Sequence, residues 1–514
     1  MTQSRRHFVR SALAATAAAS PAARLWAEAG SGGIPASLTG ITGDGKSVTL
    51  ARADIKDLRD ALKGQLLLSG DPGYDTARRI WNPDFNRHPI LVARCAVPED
   101  VVHAVSFARA HRLLVAVRSG GHSFAGYSTC DGGLMIDLLP MHDVQVDAQK
   151  KLVRVQGGSL LGQVDRATQA VGLATTMGTA TDTGVGGLTT GGGVGRLMGK
   201  FGLAIDNLQS VEVATADGRL VHASERENPD LFWAVRGGGG NFGVVTTFAF
   251  RLHPFTTKVL SGTLVYPFER ASEVFAALSE IAQHAPDELG GFGLAIVLDN
   301  KSQTDKAPGR TVVFAVDYVG DPAAGEKLLA PIRKLGKPLA DTVAAMSYLQ
   351  AQGASQSAAT AVIPAGSVNE YEKSGFMRSP PPGYFEEMRR QFKDLPPAEN
   401  YSLTIAWMGG AVARVAPSAT AYWNRRATHT MLLGSSWTDP ARRDHAIQIA
   451  RDLWVGVEPL TQGYYVNASS EAADPRIRAT YGDNYPRLVQ IKNKYDPGNL
   501  FRLNANIKPD TAAG

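Results

Sequence analysis

One imidazole follows a double glycine in Arg118-Ser119-Gly120-Gly121-His122-Ser123. Glycine takes backbone conformations closed to other residues, so this pair lets the chain turn sharply and hold His122 against a neighbour. A second stretch, Gly178 to Gly195, has eight glycines in 18 positions: Gly178-Thr179-Ala180-Thr181-Asp182-Thr183-Gly184-Val185-Gly186-Gly187, then Gly191-Gly192-Gly193-Val194-Gly195. At that density backbone N–H groups can point at phosphate oxygens with no Cβ in the way. Val185, Leu188, Val194 and Leu197 interleave the glycines, which sets the stretch apart from a flexible linker.

Other chemistries are poorly served. Gly238-Gly239-Gly240-Asn241-Phe242-Gly243 matches G-x-G-x-x-G, but the run Val244 to Phe250 that follows reads as a strand, where a Rossmann fingerprint needs a helix. There is no G-x-x-x-x-G-K-[ST] loop and no G-x-S-x-G elbow. Two cysteines, Cys95 and Cys130, cannot build a Cys-rich metal site and read as buried thiols. None of the 11 histidines pairs with another at ligand spacing on one helix, so no metal is expected.

The elements that must position these groups follow from periodicity. Ile90 to Val97 reads as a strand, Pro98 to Arg112 as a helix with Val101, Val105 and Ala108 on one face, and Leu113 to Val117 as a second strand. This β-α-β unit runs straight into the His122 turn, and strand ends in such layers are where ligands sit. From Leu260 the glycine clusters stop. Strand Leu260 to Tyr266, helix Ala271 to His284, strand Arg310 to Tyr318 and helix Ala323 to Lys334 follow, with loops expected at Ala351 to Gly366 and Ser379 to Gly383. Tyr485 to Lys494 reads as a short amphipathic helix before the turn Tyr495-Asp496-Pro497-Gly498-Asn499.

The 514 residues have room for several domains, and 44% apolar against 20% charged content suits a folded protein. Of 53 basic and 48 acidic residues, the first 29 hold Arg5, Arg6, Arg10 and Arg24 against Glu28. The remainder is close to neutral, which argues against nucleic acid or an anionic membrane as partner. Arg5-Arg6 precede the weakly apolar run Ser11 to Ala19 and the small-residue site Ala27-Glu28-Ala29. This resembles a twin-arginine export signal over residues 1–29, and it implies a periplasmic or secreted protein, free of the membrane after export and carrying a cofactor through the export step.

In order, the motifs resemble the berberine-bridge-enzyme-like branch of the vanillyl-alcohol-oxidase superfamily. The likeness runs from about Leu58 to Pro509. It rests on the His122 turn, the glycine loop, Phe201-Gly202-Leu203-Ala204-Ile205-Asp206-Asn207, Asn228-Pro229-Asp230-Leu231-Phe232-Trp233-Ala234-Val235-Arg236-Gly237, and Tyr495 to Arg502 with Asn504-Ala505-Asn506-Ile507. The resemblance implies an α+β fold with a two-part, PCMH-type FAD-binding domain (residues 55–258 and 462–510) and an α+β substrate domain inserted at 259–461. It implies FAD held by Arg118, Ser119, Gly120, Gly121, His122, Ser123, Gly178, Thr179, Thr183, Gly184, Gly186, Gly187, Gly193, Asn504 and Asn506. His122 matches the histidine joined to the flavin. A second link through cysteine, present in many relatives, is replaced by Ala180, so a single covalent bond is expected.

The implied chemistry is hydride transfer from a C–OH, C–N or activated C–H bond of a small sugar-like or secondary-metabolite substrate to flavin, with molecular oxygen taking the electrons. Proton-taking positions of relatives are occupied here by Ala468, Arg414 and Leu188. Tyr465 is then the first candidate acceptor and Tyr127 the second, with Tyr464 also near, while Arg414 binds substrate or acidifies a phenol. Thr183 stands where relatives control oxygen access. A tailoring enzyme or cyclase with little net redox role, and a non-catalytic binding protein, are the alternatives.

Overall fold

The computed structural model describes residues 33–255, 258–299, 309–353, 369–378, 383–393, 395, 400–471 and 476–510. The arginine-pair segment 1–29, most of the expected 351–366 loop and Ser379–Pro382 lie outside them. The start of that expected loop is corrected, because residues 348–353 are helical.

The β-α-β unit forms, with an addition. Strands Leu91–Arg94 and Val115–Arg118 flank a third, Leu134–Asp137, and both run parallel to it. Gln65–Leu68 closes the four-stranded sheet antiparallel to Leu91–Arg94. Helix Pro98–Ala110 makes the crossover and buries Val101, Ala104, Val105 and Ala108. Cys95 and Cys130 are both buried and unpaired, and burial pushes the Cys130 thiol up to about 12, which leaves it inert. Beside this sheet is a five-stranded antiparallel one in the order Leu220–Ser224, Leu208–Ala214, Val244–Arg251, Leu152–Gln156, Val144–Asp147. Val244–Arg251 is the strand expected after the Gly238 to Gly243 cluster.

The third sheet is the largest, with eight antiparallel strands drawn from Val259 to Trp437. Asn400–Trp407 shows its logic: Tyr401, Leu403, Ile405 and Trp407 are buried, while Asn400, Ser402, Thr404 and Ala406 are half-buried. Successive residues of a strand point to opposite faces, so one face is apolar and the other polar. The apolar face meets helices Ala271–Gln283, Tyr384–Lys393 and Arg443–Val457 in one core. Each aliphatic side chain buried there contributes about 1.5–3 kcal/mol of transfer free energy. The polar face is the one turned toward the glycine loop.

The expected helix Ala323 to Lys334 is two helices, Pro322–Leu328 and Ala330–Arg333. Pro331 explains the break, since it has no N–H to donate and its ring crowds the carbonyl four residues back. Among the described residues no helix is long and apolar enough to cross a membrane, and no group of histidine, cysteine and carboxylate side chains is placed to hold a metal.

Candidate active site

The double glycine works by close approach. Gly120 and Gly184 cross backbone to backbone: a Cβ on Gly120 would lie 2.2 Å from the Gly184 nitrogen, and one on Gly184 would lie 2.0 Å from the Gly120 nitrogen. Gly121 sits at φ +77°, a conformation that side-chain-bearing residues rarely adopt. Ser119 fastens the crossing, its Oγ donating to the Gly157 carbonyl at 2.6 Å and accepting the Gly186 N–H at 3.1 Å. Ser123 Oγ accepts the Tyr127 N–H at 3.0 Å, which closes the turn around a half-buried Tyr127.

His122 emerges from this crossing with its ring fixed on three sides. Trp81 stacks on it at 5.2 Å between centroids and 18° between planes. Its Nε2 lies 3.5 Å from Asp182 Oδ1, and its Nδ1 lies 3.4 Å from Thr183 Oγ1. The imidazole holds the Asp182 carboxyl below its usual range. A carboxylate beside Nε2 favours the tautomer with the proton there, which leaves the Nδ1 lone pair toward the threonine hydroxyl.

Arg118 plays another part from the one expected. Its guanidinium donates to both oxygens of buried Asp137, at 3.0 and 2.8 Å, and to the Arg79 carbonyl at 2.9 Å. With these partners it anchors the strand end beneath the turn and has little left for a ligand. Thr179 and Gly187 are exposed on the glycine loop, and a Cβ at Gly187 would meet nothing within 4 Å. Gly193, at φ +82°, packs on Ala204 and turns the loop back. The loop's two ends are tied to the large sheet's domain through a buried network. Gln352 donates to the Gly178 carbonyl at 3.0 Å and to Asp165 at 2.7 Å, and accepts from Arg196, which pairs with Asp317. Burial pushes the Asp165 carboxyl up to about 7 against the pull of its Gln352 and Tyr348 hydrogen bonds.

Tyr465 is buried, and its oxygen accepts from the Val194 N–H at 3.2 Å and from Asn467 Nδ2 at 3.1 Å. Asn467 also donates to the Leu188 carbonyl at 3.0 Å, so the phenol and the amide together pin the glycine loop. Arg414 is remote from this arrangement. Its guanidinium forms a bidentate pair with Asp287, at 2.8 and 2.6 Å, on an exposed edge. The expectation of a phenol acidified by Arg414 is therefore corrected: burial raises the Tyr465 hydroxyl, and nothing cationic offsets it. Tyr465 is better suited to positioning than to taking a proton, and Arg414 to surface pairing.

Two groups escaped the sequence reading. Trp81 and Asn82 lie in a segment without a motif. Glu370 and Glu372 lie on strand Asn369–Met377, whose i, i+2 pattern was the available signal, and both are half-buried on the face that carries Ser374 and Phe376.

The residues fit FAD. Asn504 Oδ1 and Asn506 Oδ1 are buried without a hydrogen-bond partner, acceptors that a ligand's donor could satisfy, and Asn499 Oδ1 on the same tail is likewise unpartnered. On the glycine loop Gly187 is exposed, and His122 is half-buried where Gly120 crosses that loop. A glycine loop of this kind is able to hold the phosphate groups of a large cofactor.

Comparison with known proteins agrees. Residues 89–224 match the FAD binding domain family, and 464–508 match the family described as berberine and berberine like. An uncharacterised FAD-linked oxidoreductase of Bacillus subtilis, YgaK, is 31% identical over 87% of this chain and 97% of its own. The (R)-6-hydroxynicotine oxidase of Paenarthrobacter nicotinovorans is 30% identical over 88% of this chain and 98% of its own. Among solved structures, 6-hydroxy-D-nicotine oxidase from Arthrobacter nicotinovorans aligns with TM-score 0.79 and 28% identity over 87% of this chain and 98% of that one. Xylooligosaccharide oxidase from Myceliophthora thermophila aligns with TM-score 0.76 and 26% identity over 89% of this chain and all of that one. The chain belongs to the berberine-bridge-enzyme-like FAD-linked oxidoreductases, with a PCMH-type FAD-binding fold.

Proposed function

We propose that the protein is an exported oxidase that carries FAD on His122 through a single covalent bond and oxidises a C–OH, C–N or activated C–H bond of a small organic substrate. The bound flavin would accept two electrons from the substrate and pass them to oxygen. His122 supports the covalent reading because Trp81, Asp182 and Thr183 fix its ring and leave one nitrogen lone pair available. Gly121 admits the close approach, and Ala180 leaves no sulfur for a second bond. Asn504 and Asn506 would hold the cofactor through their unpartnered oxygens. Tyr465 and Asn467 keep the glycine loop in register with the substrate sheet. The paired arginines, Arg5 and Arg6, support a periplasmic or secreted destination.

The single observation that carries this reading is the fixed imidazole on the glycine crossing. Acid precipitation of the purified yellow protein, with the supernatant read for free flavin and the holoenzyme assayed for hydrogen peroxide across sugars, alcohols and amines, tests it. Flavin retained in the pellet with peroxide released by at least one substrate is expected. Flavin bleached by substrate without peroxide would assign a dehydrogenase, and a reduction-silent flavin would favour a cyclase or binding role.

A further inference from the structure

One side chain from the large sheet's domain grips both ends of the glycine loop. Gln352, on the helix of residues 348–353, is 1% exposed. Its Nε2 donates to the Gly178 carbonyl at 3.0 Å and to Asp165 Oδ2 at 2.7 Å, and its Oε1 accepts from Arg196 Nε at 2.8 Å. Gly178 opens the loop and Arg196 follows its last glycine, so the two ends meet on a single amide. They meet where side chains are missing: a Cβ on Gly195 would lie 1.6 Å from the Met177 carbonyl oxygen, and one on Gly290, in the large sheet, would lie 1.5 Å from that of Arg196. Arg196 pairs in turn with Asp317, which accepts from Ser261 Oγ at 2.6 Å, so the grip is anchored in two strands of the large sheet.

From Asp165 the connection runs on to His122. Asp165 is buried on helix Leu161–Gln169, where the Tyr348 hydroxyl also donates to its Oδ1 at 3.4 Å. The first two residues of that helix reach into the loop. The Leu161 N–H donates to the Thr183 carbonyl at 2.9 Å, and the Gly162 N–H donates to the Thr181 carbonyl at 2.8 Å. A Cβ on Gly162 would lie 2.8 Å from the Thr181 Cβ, a second close approach that only glycine permits. Residues 181–183 are therefore held to the helix by their carbonyls, while the side chains of Asp182 and Thr183 hold the two nitrogens of the imidazole at 3.5 and 3.4 Å.

We propose that Gln352 is a positioning residue for His122: it locks the large sheet's domain onto the base of the glycine loop and, through Asp165 and its helix, keeps Asp182 and Thr183 where they fix the ring. The proposal rests on the reading of His122 as the flavin's anchor, and it makes attachment of the flavin depend on the docking of a domain that does not touch the imidazole.

The test compares the purified flavoprotein with Gln352→Met, which keeps the length of the side chain and removes all three hydrogen bonds, and with Gln352→Glu. Hydrogen exchange is read on peptides covering residues 177–184, and the fraction of flavin that stays with acid-precipitated protein is read alongside. In Gln352→Met, exchange at 177–184 should quicken about tenfold, the scale for buried acceptors left without a donor, and the retained fraction of flavin should fall. Peptides covering Leu134–Asp137, in the neighbouring sheet, should keep the wild-type rate.

The carboxyl of Gln352→Glu faces Asp165, with Arg166 and Tyr348 beside it, and Arg196 with its partner Asp317. At pH 5 a proton shared between the two carboxyls restores their contact, and burial, which pushes Asp165 up to about 7, favours its uptake. At pH 9 both carboxyls are ionised and repel. Relative to wild type at the same pH, this variant should exchange like wild type at pH 5 and like Gln352→Met at pH 9. Because both states are read in one protein, it decides the matter even where Gln352→Met does not fold. Unchanged exchange at 177–184 in Gln352→Met, faster exchange shared equally with Leu134–Asp137, a retained fraction equal to that of wild type, or a Gln352→Glu protein indifferent to pH would overturn the proposal. Wild-type protein that releases all its flavin into acid would instead overturn the reading of His122 as anchor, and exchange at 177–184 would then decide the clamp by itself.

Discussion

The two walls of the cleft are made on different plans. The cofactor wall is backbone: Gly120 crosses Gly184 with no space for a side chain, and one ring, His122, emerges from the crossing. The substrate wall is side chain: a half-buried strip of Glu370, Glu372, Gly434, Ser436, Ser402 and Asn400 on three neighbouring strands. A wall of backbone tolerates almost no substitution, whereas alternate positions on a strand face can change without disturbing the apolar face behind them. One wall therefore suits a constant cofactor, and the other suits substrates that differ between relatives.

The largest expected effect is on the backbone wall. Gly184→Ala puts a methyl 2.0 Å from the Gly120 nitrogen and 2.3 Å from Ser119 Oγ, and neither backbone can yield without opening the crossing. Overpacking of this kind costs about 3 kcal/mol. Thermal melting should show a drop of many degrees, with flavin lost from the purified protein.

On the substrate wall, Glu372→Gln should leave the flavin in place and slow its reduction by substrate about 10²-fold above pH 8, where the carboxyl is ionised and free to accept a proton, and far less below it. Rapid-mixing absorbance measurements check it, and an unchanged rate would move proton acceptance elsewhere.

The same substitution sharpens the comparison through pH. The folded protein holds the Glu372 proton up to about 8, while the unfolded chain releases it near the ordinary carboxyl value of 4.5. Between these pH values the native state binds more protons, so this group's contribution is fully present below about 4.5 and drains away as pH rises to about 8. Glu372→Gln removes that drain. Relative to wild type, the variant should gain about 2 kcal/mol between pH 5 and pH 9, less than the full shift would give because the cleft admits water. Denaturant melts at the two pH values measure this, and the cost of burying an amide cancels in the difference.

The smallest effect falls where the walls meet. Tyr465→Phe removes the acceptor for the Val194 N–H and for Asn467, which should cost about 1–2 kcal/mol and slow flavin reduction only modestly, with the flavin retained. A loss as large as that of Glu372→Gln would restore Tyr465 as the proton acceptor.

How far each wall was legible follows from the same difference. Glycine clusters mark backbone sites in the chain itself, so the His122 turn, the 178–195 loop and the strand after Gly243 were readable before any coordinates. The Asn504 and Asn506 tail was readable by likeness alone. The substrate wall is assembled by pairing between strands distant in sequence, and nothing local tells which of two alternating faces turns to the cleft. Arg414 shows the difficulty: its segment matched a catalytic position by alignment, yet a four-residue helix, Ala411–Arg414, carries it to Asp287 at the rim. Trp81 and Asn82 were silent because single aromatic and amide residues in a loop carry no period. The break at Pro331 was a local signal that the helical pattern around it obscured.

The central claim is that this backbone wall exists to hold one imidazole against the flavin. Peptide mapping of acid-denatured protein by mass spectrometry tests it most directly, with His122→Ala as the control. Flavin should remain on the peptide containing His122 in the wild type, on no other peptide, and only in the acid supernatant for the variant. Release of all wild-type flavin into the supernatant, or its recovery on a different residue, would contradict the account.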